Sequence, residues 1–445
     1  MNLSLECQEW TNTNKDARLI KTAKKSKQNK NQDLSNTIYL LQIAPSRSSN
    51  SKLACLMSNQ FVNIFDQSSL KSILKFKTLE ESSKIATEIG FYSKNDDLVF
   101  GSSDNGSLKC WDLRQNQSTE KLHECLCFKT DEEREFLSAD INLSDNFFIV
   151  GTNKNVDNAV VYIFDVRMSG RFVHKLSESH SNDITQVKFD PSNESKFCTG
   201  SLDGLVCLYD LEQQSENIVK IPVDKNDEED ETDSDEDPDL MEQVFNAGSS
   251  IQKIGYLSSK CSGTDQLYAI TYTNDLFVWD LQSHDVVHQF KSSNIGTVGV
   301  SSDGEQDEDY FFDCFYMKPD LMTICKGYKN GKFKLLNCSD YMDEICFETG
   351  GEDSSKRMHR DIIRSSYWNG QNFYTAGEDG FLFKWKLTDK NSKPMDSDDI
   401  EKTISNKRDL KDGSESENEE KDAPSKRPNK ERIRKRNFFV KKRTK

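Results

Sequence analysis

Two sets of side chains in this sequence have the residue types of a nucleophilic hydrolase: His180, Thr199 and Asp203, and again His359, Thr375 and Asp379. A histidine held by a carboxylate can take the proton of a threonine hydroxyl and turn it on a carbonyl carbon. That chemistry also needs an accessible nucleophile and donors aimed at the oxyanion, and the sequence around neither set supplies them. There is no GxSxG, GxxxxGK[ST] or GxGxxG, and no motif places paired carboxylates. His284 and His288 stand four apart, as on a zinc-binding helix. They lack its glutamate and follow an apolar strand-like run, so they read as part of a plain outer strand. The twelve cysteines occur singly or as Cys125-x-Cys127, mostly inside apolar runs and without a CxxC pair. This is the usage of reduced, buried thiols. An enzyme, a cofactor or a metal site is therefore not expected.

The elements that would carry these residues are short strands. In His180 to Asp210, an apolar strand with Ile184, Val187 and Phe189 is followed by the turn Asp190-Pro191-Ser192-Asn193. A second strand runs from Phe197 to Ser201 and a third from Leu205 to Tyr209. The Asp203-Gly204 pair between the last two predicts a two-residue type I′ hairpin. Six weaker copies of this β-meander can be traced, ending at Asp66, Asp112, Asp165, Asp280, Asn337 and Lys386. Four of the six spacings between endings are 45 to 53 residues, near the roughly 40 to 45 of one propeller blade. Asn105-Gly106, Asn330-Gly331 and Asp379-Gly380 mark the same turn in three of the copies, and the third copy has a longer loop, Thr152 to Asn158.

GSLKCWD, LFVWD, GLVCLYD and the openings at His180 and His359 resemble WD40 repeats. The fold class expected is all-β, a closed seven-bladed WD40 β-propeller over residues 38–387. A fourth strand follows each repeat, as Leu70 to Phe76 follows the first. None is visible after Lys386, so Ala17 to Ala23 (ARLIKTA), within the N-terminal segment 1–37, is expected to close the ring as the outer strand of blade seven. The resemblance implies that His, Thr and Asp form a buried hydrogen-bond chain ending on a third-strand Trp. Blade seven has all four in His359, Thr375, Asp379 and Trp385. Blade four has His180, Thr199 and Asp203, with Tyr209 in place of Trp. Trp111-Asp112-Leu113-Arg114 and Phe164-Asp165-Val166-Arg167 resemble the W-D-x-R signature of substrate receptors for cullin-4 ubiquitin ligases, which implies an adaptor-facing role for Arg114 and Arg167. HRDIIRSSYWN with TAGEDGFLFKWK, DNGSLKCWDLR, the opening strand YLLQI and the lysine-bearing finish together resemble the WD repeat-containing protein 89 family.

What remains is charge. The chain carries −16 overall, yet Lys426 to Lys445 holds eleven Lys or Arg against one Glu. Asp224 to Asp239 has eleven acidic residues in sixteen, too polar to bury a core, so an acidic insert at about 222–243 should be disordered. Residues 388–445 form a tail, acidic and then basic, also expected to be disordered. In it Lys426, Arg427, Arg434, Lys435 and Arg436 have the spacing of a bipartite nuclear localisation signal. Thr232, Ser234, Ser414 and Ser416 each precede an acid by three residues, the setting of acidophilic kinases. No run of 18 apolar residues or secretory leader is visible, so an intracellular protein, nuclear or nucleolar, is expected. The function read here is a non-catalytic scaffold binding protein partners through its rim and top loops, in a nuclear complex. Two other readings stay open: a substrate receptor of a cullin-4-type ligase, and a ribosome-assembly or RNA-associated factor. The acidic insert would suit basic proteins and the basic tail weak nucleic-acid contact, with no role for a membrane.

Overall fold

A six-residue strand that is apolar on both sides needs a packing partner on each face, and most strands here are of that kind. Phe61–Asp66, Phe147–Thr152 and Lys196–Ser201 each bury four or more consecutive residues. The computed structural model describes residues 3–12, 38–79, 84–115, 122–130, 132–168, 172–214, 240–258, 265–291, 309–319, 321–339, 342–348 and 358–389, all within the unit 1–390. They form seven four-stranded antiparallel sheets. The innermost strands are Leu40–Pro45, Ala86–Phe91, Phe136–Ile141, Ile184–Phe189, Ile251–Ser258, Asp309–Lys318 and Ile363–Trp368, and together they line a central channel of about 1480 Å³. The chain is a seven-bladed β-propeller.

The apolar core is divided among seven clusters, one at each junction between neighbouring blades. Leu56, Val62 and Phe76 of blade one meet Ile89, Phe91 and Trp111 of blade two. Phe100 and Phe128 of blade two meet Phe148 and Phe164 of blade three, with Phe128 and Phe164 centroids 5.4 Å apart. The last junction joins blade seven to blade one through Tyr374, Ala376 and Leu382 against Leu53, Cys55 and Met57. Each fully buried Leu, Phe or Met side chain contributes about 1.5–3 kcal/mol, so an open ring would forfeit one whole cluster.

Every innermost strand has a bulge after its first apolar residue, at Leu40/Gln42, Ala86/Glu88, Phe136/Ser138, Ile184/Gln186, Ile251/Lys253, Phe311/Asp313 and Ile363/Ser365. The polar residue just past the bulge serves the next blade. Ile43 N–H donates to Ser365 Oγ (3.0 Å), Ile89 N–H to Gln42 Oε1 (2.8 Å) and Ala139 N–H to Glu88 Oε2 (3.1 Å). Val187 N–H donates to Ser138 Oγ (3.1 Å) and Ile254 N–H to Gln186 Oε1 (2.8 Å). At the two remaining junctions Lys253 Nζ lies 3.0 Å from Asp313, and Ser366 Oγ donates to Asp313 Oδ2. These bonds form a belt around the channel.

Three expectations need correction. The outer strand of blade seven is Leu3–Asn12, which pairs antiparallel with Phe381–Asp389. It is not Ala17 to Ala23, which lies outside the described residues. The N-terminus still closes the ring, but through LSLECQEW, whose Leu3, Leu5 and Cys7 alternate with polar residues where ARLIKTA does not. The acidic insert cannot extend to residue 243, because Leu240 is buried and Met241–Asn246 is the outer strand of blade four. The charge run ends where apolar residues again have a sheet to pack on.

The third correction concerns the turns. Of Asp203 and Gly204 only Gly204 has positive φ (87°), and its N–H donates to Ser201 O (3.1 Å). The connection is thus the three residues Leu202-Asp203-Gly204, a turn followed by one left-handed residue, and not a two-residue type I′ hairpin. Gln60, Gly106, Asn274, Gly331 and Gly380 repeat it, each with positive φ and an N–H bonded to the carbonyl three residues back.

Two stability predictions follow from this geometry. Gln186→Leu removes the acceptor of Ile254 N–H while keeping its bulk, so unfolding free energy should fall by about 1–3 kcal/mol and exchange at the Ile254 amide should accelerate. A Cβ on Gly106 (φ 69°) would sit 2.4 Å from Arg134 O, whereas one on Gly248 (φ 70°) meets nothing within 4 Å. Gly106→Ala should therefore lower the urea midpoint clearly more than Gly248→Ala, which carries only backbone strain of about 1–3 kcal/mol.

Candidate interaction surfaces

Antiparallel strands send their connections to alternate ends. The turns between second and third strands share the top face with the links between blades, and the remaining turns share the bottom face. This geometry sorts the candidate residues.

On the top face His180 ends the outer strand of blade three, Phe172–His180, and Asp203 lies in the turn of blade four. His180 Nδ1 is 3.1 Å from Asp203 Oδ2, and its Nε2 is 2.7 Å from Thr199 Oγ1. Asp203 also accepts from the N–H groups of Ser181 and Leu205 (both 3.0 Å), so one carboxylate fastens the turn to the incoming link. Blade seven repeats this with His359 Nδ1 3.0 Å from Asp379 Oδ1 and Nε2 2.8 Å from Thr375 Oγ1, and it adds Trp385 Nε1–H donating to Thr375 Oγ1 (2.9 Å). Tyr209 stands where Trp385 does. Its ring stacks on Phe197 at 4.7 Å, and its buried hydroxyl has no hydrogen-bond partner among the described residues. His180 is 1% exposed and Thr199 and Thr375 are 0% exposed. A hydroxyl sealed in this way cannot reach a substrate, and the geometry suits a structural chain.

The bottom face carries Arg114 and Arg167. Each follows a strand-ending aspartate by two residues and is gripped by it twice. Arg114 Nε and Nη2 donate to Asp112 at 2.9 and 2.7 Å, and Arg167 Nε and Nη2 to Asp165 at 2.9 and 2.6 Å. The side chains remain 62% and 71% exposed. Asp112 and Asp165 are both held below the usual carboxylate range, first by the hydrogen bonds from these arginines. Phe164, which stands where Trp111 does in blade two, joins Phe100, Phe128, Phe136 and Phe148 at the junction of blades two and three.

His284 lies in the turn before the outer strand Val286–Lys291, which contains His288. No group of three or more metal-ligating side chains occurs among the described residues. Nine cysteines have described side chains, all free thiols, and six of them are buried; burial pushes Cys55, Cys110, Cys198 and Cys314 above the ordinary thiol range. Thr232, Ser234, Ser414, Ser416, Lys426, Arg427, Arg434, Lys435 and Arg436 lie outside the described residues. No described helix is long and apolar enough to cross a membrane.

Sequence reasoning missed the residues facing the channel. Arg47 of blade one reaches past blade two to form an ion pair with Asp140 and donates to Ile141 O (2.9 Å). Lys188 of blade four reaches past blade three to Glu88 (2.6 Å). Burial opposes ionisation of Asp140, yet Arg47 and Lys188 hold it below the usual carboxylate range. For Glu88 and the rest of the belt the signal was available as a polar residue two places after the apolar residue at which each innermost strand bulges. It becomes visible only when the repeats are aligned on one another.

The His180 chain predicts a pH dependence. Burial is the largest single effect and lowers the imidazole, but the hydrogen bond and charge of Asp203 together with the neighbouring Cys207 outweigh it and raise His180 from 6.5 to about 9. A raised histidine contributes stability that is complete below its unfolded value and is lost as pH climbs through its folded value. The urea midpoint should therefore fall between pH 6.5 and about 9 more steeply in the natural protein than in His180→Gln. Parallel curves would show that the pair is not linked to folding.

Comparison with known proteins agrees with the geometry. The family model described as "WD domain, G-beta repeat" matches residues 170–210, which run from the outer strand of blade three through the third strand of blade four. The chain is 25% identical over 337 residues to the WD repeat-containing protein 89 homolog of Dictyostelium discoideum, covering 75% of this chain and 79% of that protein. It is 26% identical over 303 residues to the WD repeat-containing protein GTS1 of Arabidopsis thaliana, covering 65% and 66%. Over 180 residues it is 29% identical to the guanine nucleotide-binding protein subunit beta of Oryza sativa subsp. japonica, covering 40% and 41%. With its seven four-stranded blades and buried Asp-His-Thr chains, the protein is similar to WD40-repeat proteins in fold and, over residues 170–210, in the repeat itself.

Proposed function

We propose that the protein is a non-catalytic scaffold that assembles protein partners on the faces of its propeller and acts in a nuclear complex. The observation that carries this reading is the division between a sealed interior and unlike loops. The one constellation with the residue types of a nucleophile is buried in blades four and seven, while the exposed apolar residues are divided between the outer strands of the rim, as at Ile73, Phe172, Val244, Val286 and Val287, and the loops of the two faces, as at Leu143, Val156 and Tyr272. WD40 propellers generally bind proteins through such loops, which is how the likeness to a guanine nucleotide-binding protein subunit beta supports the reading. The nuclear assignment rests on the basic run that begins at Lys426 and Arg427. Proximity labelling of the full chain in cells tests both points. A recurrent nuclear protein set lost on disruption of the propeller is expected, and a wholly cytoplasmic set would end the nuclear assignment.

A second reading is favoured by one feature of the bottom face. Arg114 and Arg167 occupy the same position in consecutive blades, project outward, and are each oriented by their own aspartate, as a receptor for a cullin-4 ligase adaptor would require. Because the forks are local to an exposed turn, Arg114→Ala with Arg167→Ala should leave the melting temperature within a few degrees. Co-purification of the adaptor should drop by at least about tenfold. Retention of the adaptor at the natural level would remove this reading and leave the scaffold reading intact.

A further inference from the structure

We infer that the top face of blades five to seven is a docking surface for an acidic peptide segment of a partner protein. The inference rests on the scaffold reading and names the chemistry of one partner.

The surface is continuous across three blades. Asn274 Nδ2, in the turn of blade five, donates to Asp309 O at the start of blade six (3.2 Å). The blade-six turn is seated directly on blade seven, where a Cβ on Gly331 would lie 2.4 Å from the carbonyl of His359 and 2.7 Å from Arg360 N. Tyr310 OH then accepts from Ile363 N–H (2.7 Å), next to Arg364. Tyr272, Lys329 and Arg364 all line the mouth of the same channel.

Charge on this surface is sorted by depth. Lys329, Lys332, Arg360 and Arg364 are exposed. Among the described residues the neighbouring carboxylates Asp275, Asp309, Asp361, Glu378 and Asp379 are only partly exposed, and the last four already serve the fold. Asp309 pairs with buried Lys326 (2.6 Å), Asp361 accepts from Ile362 N–H (2.9 Å), Glu378 takes Arg364 Nε (2.6 Å), and Asp379 holds His359 and Arg360 N–H. An approaching chain therefore meets cationic ends first, with the compensating anions set behind them. Beside them Tyr272 is 59% exposed, a large amphipathic ring at the channel rim. Exposed cations around an aromatic ring complement a segment of Asp and Glu residues with one apolar anchor. The mutual bracing of the turns means that little order has to be gained on binding.

The test uses the full-length protein and a fluorescein-labelled peptide of Glu and Asp residues around a single central Phe, read by anisotropy. Lys329→Glu with Arg360→Glu and Arg364→Glu should weaken binding at least about tenfold, and added salt should weaken the natural protein in the same direction. Because reversing Arg364 places a charge against Glu378, a second variant, Tyr272→Ala with Lys332→Glu, changes exposed positions only and should weaken binding several-fold while melting as the natural protein does. Arg114→Glu with Arg167→Glu, on the other face, should leave the peptide affinity unchanged. Unaltered binding in both top-face variants overturns the proposal, as does equal loss in the bottom-face variant. Tighter binding of a single-stranded oligonucleotide by the same residues would make the surface a nucleic-acid site instead. Failure with the purified peptide while the partner set from proximity labelling persists ends this inference and leaves the scaffold reading standing.

Discussion

A propeller has a free strand edge at its centre, and the belt around the channel is how this sequence satisfies it. The innermost strand of each blade has no neighbour on its inner side, so its outward N–H groups would face the channel unpaired. In five of the seven blades the side chain just past the bulge takes the N–H of the next blade's strand. At the other two junctions Lys253 and Asp313 form an ion pair, and Asp313 also takes the hydroxyls of Tyr268 and Ser366. Each bond is intramolecular but spans two blades, so a blade cannot leave the ring without uncovering groups on both sides. The pairs Arg47–Asp140 and Lys188–Glu88 extend this to blades two apart. With both partners of each pair hydrogen-bonded, removing one would leave a poorly solvated charge, which is far more costly than the pair itself is stabilising.

The same logic explains why the Asp-His-Thr chain need not occur in every blade. What each blade needs is a polar tie between its second-to-third-strand turn and the link that arrives from the previous blade. Blades four and seven use an aspartate and a histidine. In blade two Asp104 takes Ile85 N–H at the link, and Ser103, Asn105 and Ser107 bond among themselves within the turn. Blade three uses Asn153, whose side chain accepts from Glu135 N–H, together with Arg134 donating to Asn158 O, and this anchors its longer loop at both ends. Blade six has the pair of buried Lys326 with partly exposed Asp309. Different residues meet one requirement, so the repeat is regular in backbone and irregular in side chain. This is why only two of its seven copies stand out when the chain is read alone.

Legibility in the sequence followed that division. The strands of the repeats and the seven-bladed count were readable because alternation and apolar runs recur at a steady period. The buried chain in blade seven was implied by the likeness of its repeat to WD40 repeats and not by residue types alone, which suit a nucleophilic set as well. The turn type was not readable from Asp203-Gly204. Two-residue and three-residue connections both favour that pair, and they differ only in whether Leu202 still belongs to the ladder. The closing strand was misplaced because a strand that pairs with a partner more than 360 residues away in sequence has no local signal beyond its own alternation. The belt was missed because its polar residues look like ordinary solvent-facing positions until the bulge rotates them toward the next blade.

Function then has to be sought in what the repeats do not share. The acids that recur at strand ends are spent on their own backbone turns, as Asp66, Asp112, Asp165, Asp210 and Asp280 each accept an N–H two or three residues later. That repeated use hides negative charge in the scaffold and leaves the variable positions to decide what the surface presents. At Arg114 and Arg167 the aspartate does a second thing. It engages Nε and one Nη2 hydrogen, fixing the plane of a guanidinium whose Nη1 side still faces outward. A side chain held in this way has already lost its rotamer freedom before a partner arrives, so a contact made through its remaining donors need not repay that entropy. A bare arginine on the same turn would present the same charge without the direction.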